Sequence, residues 1–200
     1  MQPNKAFHIQ DEALLLAHLE RYPFMTLTAA PAGELLVAQA PMIVRRRDGQ
    51  LWLDFHLSRG NALTPFIAAG FSAVVVSLGP ETYVSPDWFG EDDQVPTWNY
   101  VSVEAHGQVV PMDDNGLVNL LDDLSAQEEA RLEPKPPWTR HKMSDGRFEA
   151  MTRMIVGGSL TISRLEGTFK LAQPRSATAR AGVIAALVDH PIARLMADLA

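Results

Sequence analysis

A run of polar side chains follows a short apolar stretch at residues 55–62, which read Phe-His-Leu-Ser-Arg-Gly-Asn-Ala. The pattern predicts that a strand ends here and that a short helix begins near Asn61. Free backbone N–H groups at a helix start attract anions, and the Arg59 guanidinium can make a bidentate contact with a phosphate. His56 and Ser58 supply further hydrogen-bonding groups. The segment is a candidate phosphate site, although a structural role, with Ser58 or Asn61 capping the helix and Arg59 in solvent, fits these residue types equally well.

A second segment, residues 79–100, is crowded with aromatic residues and prolines and lacks a helical period, which predicts a loop. Aromatic side chains can form the walls of a site for a flat ring system, and Asn99 or Thr97 can hydrogen bond to the polar edge of such a ring. The alternative is that Trp88, Trp98 and Tyr100 fill the core or a subunit interface.

Several common kinds of catalytic site are absent from the sequence. The chain has no cysteine, which excludes disulfides, thiolate chemistry and cysteine-bound zinc or iron–sulfur sites. No two of its six histidines have the i, i+4 spacing of a zinc-protease helix. The phosphate-binding and dinucleotide-binding glycine motifs and the Gly-x-Ser-x-Gly elbow are also missing. We predict no metal site, and the sequence leaves open which residues are catalytic and whether the protein is an enzyme.

The overall composition is that of an ordinary globular protein. The chain has 200 residues, of which 46% are hydrophobic and 20% are charged. No stretch approaches the about 18 uninterrupted apolar residues that a transmembrane helix needs. The first residues do not have the charged and then apolar pattern of a signal peptide. We therefore expect a cytoplasmic protein without a membrane partner.

Charge is distributed unevenly along the chain, whose net charge is −7. Residues 1–133 carry 7 basic and 19 acidic side chains, whereas residues 134–200 carry 10 basic and 5 acidic ones. The basic part could contact an anion or DNA, but pairing with acidic surfaces of the same protein or of an oligomer is more common. The acidic total argues against non-specific DNA binding. The sequence shows no helix-turn-helix motif with a basic recognition helix. Any direct DNA contact would therefore be made by the basic residues of 134–200.

Short strands joined by turns dominate the sequence, which predicts a mainly β fold with peripheral helices, an α+β arrangement built on an antiparallel barrel or sheet. The Pro-rich residues 134–137 are the one plausible boundary. We interpret 1–200 as a single domain with helical additions at about 113–154 and 176–199. The expected elements are a helix at 11–20; strands at 24–30, 35–44 and 51–56; a short helix at 61–69; strands at 71–78 and 100–109; helices at 113–131 and 144–154; a hairpin of strands 156–164 and 168–171; and helices at 176–188 and 192–199.

Motifs spread over the chain resemble the PaiB family of FMN-binding proteins, which are described as negative transcriptional regulators. In chain order they are His56-x-x-Arg59-x-Asn61, Tyr-Val-Ser-Pro-Asp-Trp at 83–88, Val-Pro-Thr-Trp-Asn-Tyr at 95–100 and Leu-Glu-Gly-Thr-Phe-Lys-Leu-Ala-Gln at 165–173. The resemblance extends from Phe7 to about Val188. Its most specific part is the Pro-Thr-Trp-Asn-Tyr block.

The resemblance implies the split β-barrel of the pyridoxamine-phosphate-oxidase-like flavoproteins, which are usually homodimers with FMN at the subunit interface. The residues that it assigns to the phosphate side of FMN are His56, Ser58, Arg59 and Asn61. The residues whose backbone it places beside the isoalloxazine ring are Ala40, Pro41, Met42 and Ile43. Four further residues that it brings to the FMN site, from either subunit, are Trp98, Asn99, Lys170 and Gln173; Trp98 and Asn99 could instead be structural.

The sequence departs from the family pattern at a few positions. Ser58 and Gly60 stand where the family usually has alanine, and Ala62 stands where it usually has proline. Pro174 occupies a position that is more often polar. These changes bear on individual ligand contacts and not on the fold.

Three functions are compatible with these observations. The leading hypothesis is an FMN-binding homodimer of the PaiB type that acts in gene regulation or flavin-linked sensing. The second is a flavin-dependent oxidoreductase acting on a small molecule, in which the flavin carries the redox chemistry and His56 or Tyr100 donates protons. The third is a barrel that has lost its cofactor and serves as an interaction module.

Overall fold

Seven strands form one sheet of order β1-β7-β4-β3-β2-β5-β6, in which β6 also pairs with β7. The computed structural model describes residues 2–198. The strands are β1 (His8–Ile9), β2 (Phe24–Ala29), β3 (Leu36–Arg47), β4 (Gln50–Ser58), β5 (Phe71–Val84), β6 (Thr97–Pro111) and β7 (Ile155–Lys170). The β6–β7 pairing closes six strands into an antiparallel barrel, and β1 is added beside β7. The predicted mainly β, split-barrel architecture is confirmed.

Helices connect or follow these strands. Within residues 2–198 the α-helices are α1 (Glu12–Arg21), α2 (Thr64–Ile67), α3 (Asp114–Ala130), α4 (Arg147–Thr152), α5 (Ala177–Leu187) and α6 (Pro191–Asp198). The side chain of Asp113 caps α3 by accepting from Gly116 N at 2.7 Å, and Ser176 caps α5 by accepting from Ala179 N at 3.1 Å. The predicted end of the last helix at Leu199 lies outside the described residues. None of these helices has the length and apolar character needed to cross a bilayer.

The predicted turn at Asp48-Gly49 joins β3 to β4. Both residues have positive φ, 49° and 81°, as a two-residue type I′ turn requires. Because the turn is this tight, β3 continues to Arg47 and does not end near Val44 as the sequence predicted. The pairing of Arg47 with Gln50 and of Met42 with Phe55 then fixes the register between β3 and β4.

The predicted C-terminal hairpin is wrong, because residues 155–170 form the single strand β7. Its expected turn, Glu166-Gly167, lies within that strand, where Gly167 pairs with Ile9 of β1. A Cβ atom at Gly167 would collide with the side chain of Leu15. The glycine therefore permits a close approach inside a strand and does not reverse the chain.

Two further boundaries differ from the sequence predictions. The strand expected at 71–78 continues to Val84, and β6 begins at Thr97. Tyr83 and Trp98, expected in a loop, therefore lie on strands. Helix α2 has four residues where nine were expected, because Asn61 initiates a turn that precedes it.

The chain divides into two compact units. The terminal unit comprises residues 1–18, 78–104 and 166–200, and the central unit comprises 19–77 and 105–165. The terminal unit has its own apolar core, whose buried members include Val84, Phe89, Val101, Leu171, Val183 and Met196. The single-domain interpretation stays a prediction.

Apolar and polar side chains alternate along β4 in the central unit. Leu51, Leu53, Phe55 and Leu57 are buried on its inner face. Because successive side chains in a strand point to opposite faces, Trp52, Asp54, His56 and Ser58 lie on the outer face. Helix α3 covers part of the same side of β3, where Ile43 packs with Leu120 and Leu124.

Candidate functional site

The outer face of β3, β4 and β7 brings the central candidate residues together. Asp54 is in register with Ile43 of β3 and with Ser159 of β7. Two residues further along β4, His56 is in register with Gly157. A Cβ atom at Gly157 would approach Met112 Sδ to 3.0 Å, which is tighter than an ordinary contact, so a side chain there would require Met112 to shift.

The loop after β4 satisfies most of its backbone groups internally. Ser58 Oγ accepts from Gly60 N at 3.3 Å, and Asn61 Oδ1 accepts from Leu63 N at 3.0 Å. Asn61 N donates to Ser58 O at 2.9 Å. Asn61 thus forms a local turn before α2, as the capping alternative allowed. A phosphate at this loop would be held chiefly by side chains and not by free N–H groups.

Arg59 connects this loop to the chain that enters β7. Its backbone N donates to Met154 O at 2.9 Å, and its side-chain Nε donates to Arg153 O at 2.6 Å. Within residues 2–198 the two terminal guanidinium nitrogens make no hydrogen bond or ion pair. Arg59 lines a cavity of about 340 Å³, the polar cavity, which also contains Asp114 and Glu149.

His56 lines a second cavity of about 320 Å³, the aromatic cavity, whose walls include Trp138 and Phe148. The imidazole forms no hydrogen bond within the described part of the chain, and its Nδ1 is fully buried. Burial lowers the pKa of His56 below its ordinary value of 6.5, so the ring is neutral at pH 7. Nε2 is then the ring nitrogen left accessible. Thr152 and Ile155 line both cavities, which are therefore adjacent.

A buried carboxylate anchors the same face. The side chain of Asp54 is 3% exposed and pairs with Arg47 and, at 3.7 Å, with Arg45 Nε. Its other oxygen accepts from Ser159 Oγ at 2.6 Å. Arg45 also pairs with Asp123 of α3. This cluster ties β3, β4, β7 and α3 together beside His56.

Only part of the predicted segment 40–43 reaches the outer face. Ala40 and Met42 point into the barrel and are buried, and Ile43 is covered by α3. Met42 N donates to Pro23 O at 2.8 Å. Pro41 is the one member of the segment whose side chain is partly exposed on this face.

The other four predicted residues lie in the terminal unit. Lys170 Nζ donates to Thr97 Oγ1 at 2.5 Å, and burial lowers the pKa of Lys170. The neighbouring side chain of Trp98 is 53% exposed and meets Tyr83 edge to face, with ring centroids 6.3 Å apart.

Asn99 and Gln173 have structural contacts in the terminal unit. Asn99 is buried, and its Nδ2 lies 3.3 Å from Met196 Sδ, whereas its Oδ1 has no partner among the described residues. Gln173 fastens its own loop by donating to Phe169 O at 2.5 Å and accepting from Leu171 N at 2.8 Å. Burial and the charge of Glu104 raise the pKa of Tyr100, which keeps the phenol protonated at pH 7.

The donors beside Arg59 fit an anionic group, and the aromatic cavity next to them fits a planar aromatic group. Arg59 offers unpartnered guanidinium nitrogens, Ser58 a hydroxyl group and His56 an unpartnered imidazole. Sequence reasoning missed Trp138 and Phe148. The local signal for Trp138 is its position directly after the prolines at 136–137. The sequence by itself indicates only a boundary at these prolines.

Comparison with known proteins agrees with this architecture. The chain is similar in structure to the FAD and heme binding protein from Mycobacterium smegmatis. The TM-score is 0.59 and the sequence identity is 17%, over 88% of this chain and 78% of that one. It also resembles the flavocytochrome Anf3 from Azotobacter vinelandii, with a TM-score of 0.53 and 18% identity over 84% and 72% of the two chains. At these identities the similarity establishes a shared fold.

Sequence comparison defines the family. The family model described as "Putative FMN-binding domain" matches residues 1–164. A relative from Bacillus subtilis, "Protease synthase and sporulation protein PAI 2", is 24% identical over 98% of this chain and 94% of its own length. The chain therefore belongs to this FMN-binding family, and the resemblance to PaiB and the prediction of FMN as cofactor are confirmed.

We expect His56 to make the stability of the protein depend on pH. Because its pKa is lowered in the folded state, the unfolded chain binds a proton more readily as the pH falls below about 6.5. The free energy of unfolding should therefore decrease from pH 7 to pH 5. Urea unfolding across this range should show a smaller decrease for His56→Gln than for the parent. His141→Gln, which removes an exposed imidazole, is the control, and equal decreases in both variants would contradict the assignment.

Proposed function

We propose that this FMN-binding protein is a flavin-linked sensor that acts in gene regulation. The observation that carries the proposal is the match to the Bacillus subtilis sporulation protein over nearly the whole length of both chains. The hypothesis of a cofactor-free interaction module is disfavoured, because FMN is the cofactor of the family.

We assign the phosphate of FMN to the loop after β4. Arg59 is suited to it, because its Nε is fixed on Arg153 O while its terminal nitrogens remain available for a bidentate contact. The Ser58 hydroxyl can add a hydrogen bond. Asp114 and Glu149 line the same polar cavity and would repel a dianion, so we place the phosphate on the Ser58 side of Arg59.

The isoalloxazine ring would lie on the outer face of β3 and β4, beside Pro41 and His56. When bound, FMN supplies a centre that accepts and returns electrons. The neutral His56 ring would orient the flavin edge and hold a proton at Nε2. Lys170, Gln173, Trp98 and Asn99 stay candidate contacts by resemblance alone.

A second copy of the chain is the partner that we propose for the barrel surface. The outer side of β2 and β3 carries exposed apolar side chains, including Phe24 at 68% and Val37 at 56% exposure. Val74 and Val76 of β5 are in register with Thr28 and Thr26 of β2, and so extend this apolar surface. Contiguous apolar patches of this kind typically mark protein–protein interfaces. A homodimer across this surface would cover the flavin from the second side.

Direct contact with DNA is a subordinate part of the proposal. Residues 134–154 carry five basic and two acidic side chains, and the basic ones include Arg140, Lys142 and Arg147. Two short helices, at Arg140–Lys142 and Arg147–Thr152, lie in this segment. Neither is long enough to read a major groove, so any DNA contact would rest mainly on phosphates.

The second candidate function is a flavin-dependent oxidoreductase. The observation that favours it is the neutral His56, a proton carrier beside the proposed ring position and next to the aromatic cavity. The neutral imidazole can accept a proton, which is what oxidation of a small molecule by the flavin would require of a neighbouring side chain. The raised pKa of Tyr100 keeps its phenol protonated at pH 7, so Tyr100 cannot serve as a proton acceptor there.

Arg59→Ala should weaken FMN binding by about 1.5–3 kcal/mol, the range for a hydrogen bond to a charged group, which is roughly 10- to 150-fold in affinity. Arg194→Ala removes an exposed arginine of α6 and should leave the affinity unchanged. Fluorescence quenching of FMN on binding to the stripped protein measures both variants. Equal affinity for Arg59→Ala and the parent would remove the phosphate assignment.

Val37→Glu should convert a dimer to a monomer, because a carboxylate at the centre of an apolar interface would be buried without a partner. Light scattering coupled to size exclusion measures the mass directly. Leu132→Glu changes an equally apolar, 53% exposed residue elsewhere in the central unit and should remain dimeric. A monomeric parent that still holds FMN would refute the interface placement.

The regulator and the enzyme can be separated with the FMN-loaded protein. A sensor should show enrichment of DNA from a random library without a strong sequence preference, with binding that differs between oxidised and reduced flavin. An oxidoreductase should bleach with NAD(P)H and turn over with an added electron acceptor. Turnover without DNA enrichment would replace the regulatory proposal with the enzymatic one.

A further inference from the structure

We propose that the aromatic cavity binds a second small molecule, a neutral planar aromatic compound that carries a carbonyl oxygen. The cavity lies within the central unit, between α3 and the segment that runs through α4, and its volume is about 320 Å³. Small-molecule pockets span about 300–1,000 Å³, so this one suits a molecule of one or two rings. The proposal rests on the proposed function in one respect only, namely that His56 borders the flavin.

The walls of the cavity select for flat, polarizable groups. Trp138 and Phe148 supply aromatic faces, and Met143 and Met151 supply thioethers, which make favourable contacts with aromatic rings. The Phe148 ring is held from one side by the Arg140 guanidinium, whose central carbon lies 4.8 Å from the ring centroid. One face of Phe148 is thus fixed by the protein before any ligand arrives.

The charges of the lining favour a neutral ligand. Arg140 Nε pairs with Asp122 Oδ1 at 3.2 Å, so these two charged residues balance each other. His56 is neutral, because burial lowers its pKa. An anionic ligand would meet the Asp122 carboxylate, and a cation would meet Arg140.

The hydrogen-bonding groups of the lining favour an acceptor on that ligand. The terminal nitrogens of Arg140 have no hydrogen-bond partner among residues 2–198. Guanidinium nitrogens can only donate, so they would match a carbonyl oxygen. A pure hydrocarbon would leave them without a partner once it displaced the water.

The mouth of the cavity is apolar and open. Met151 is 52% exposed and Trp138 is 38% exposed, although both contribute to the lining. Large apolar side chains left in water at the rim of a cavity are covered when a ligand binds, and this burial favours binding.

Calorimetric titration of the FMN-loaded protein with 2-acetylnaphthalene tests the proposal. Naphthalene, which lacks the oxygen, should bind roughly tenfold more weakly, and 2-naphthoate should also bind more weakly, because it brings a negative charge to Asp122. The same titration without FMN should give a similar affinity. If bound FMN excludes 2-acetylnaphthalene, the cavity is the flavin's own ring pocket and the proposal is overturned.

Two methionines provide a matched pair of variants. Met151→Ala should weaken binding of 2-acetylnaphthalene about threefold to tenfold, because it removes a wall contact. Met154→Ala changes a methionine that is 62% exposed and outside the lining, and it should bind like the parent. Phe148→Ala should have a larger effect than Met151→Ala. Equal affinity in all three variants would overturn the proposal.

The flavin absorbance of the same samples separates this proposal from the proposed function. Loss of FMN from Phe148→Ala, whose side chain lines the cavity, would mean that the flavin ring itself uses the cavity and would overturn the proposal. Retention of FMN with no ketone binding by the parent counts against the cavity alone.

Discussion

The chemistry of the central unit depends on the two-residue period of β4. Leu53 and Phe55 are fully buried on the inner face, so Asp54 and His56 have to lie on the outer one. A shift of one residue in the pairing of β4 would bury the polar set and expose the apolar set. The barrel core thereby fixes the site, because the buried side chains set the register and the outer side chains follow from it. The loop that carries Arg59 begins at the last residue of the strand, so its position is fixed by the same register.

Local sequence features were sufficient to predict this strand and the turn before it. The alternation of residues 51–56 identified β4, and Asp48-Gly49 identified the turn, since positive φ at two successive positions strongly favours such residues. The same logic placed His56, Ser58 and Arg59 at the point where the strand ends. These inferences succeeded because each depends on neighbours within a few residues.

Where the sequence misled, the deciding contact came from elsewhere in the chain. Gly167 looked like a turn residue, but the side chain of Leu15 requires a glycine there. Trp138 and Phe148 have no periodic pattern, and only the folded chain brings them to His56, which lies 82 and 92 residues earlier in sequence. Features that arise from distant contacts leave no local pattern to recognise.

The buried carboxylate of Asp54, shared by Arg45 and Arg47, also constrains how this protein can evolve. Removing one member of a buried ionic cluster is far more costly than replacing the whole cluster with well-packed apolar residues. Because Arg45 and Arg47 are 30% and 44% exposed, the cost falls on changes that leave the buried Asp54 carboxylate without an arginine, whereas exchanging all three residues together need not be destabilising. Natural descendants of this chain should keep Arg45, Arg47 and Asp54 together or exchange all three together. The three residues should therefore vary as a group among related sequences.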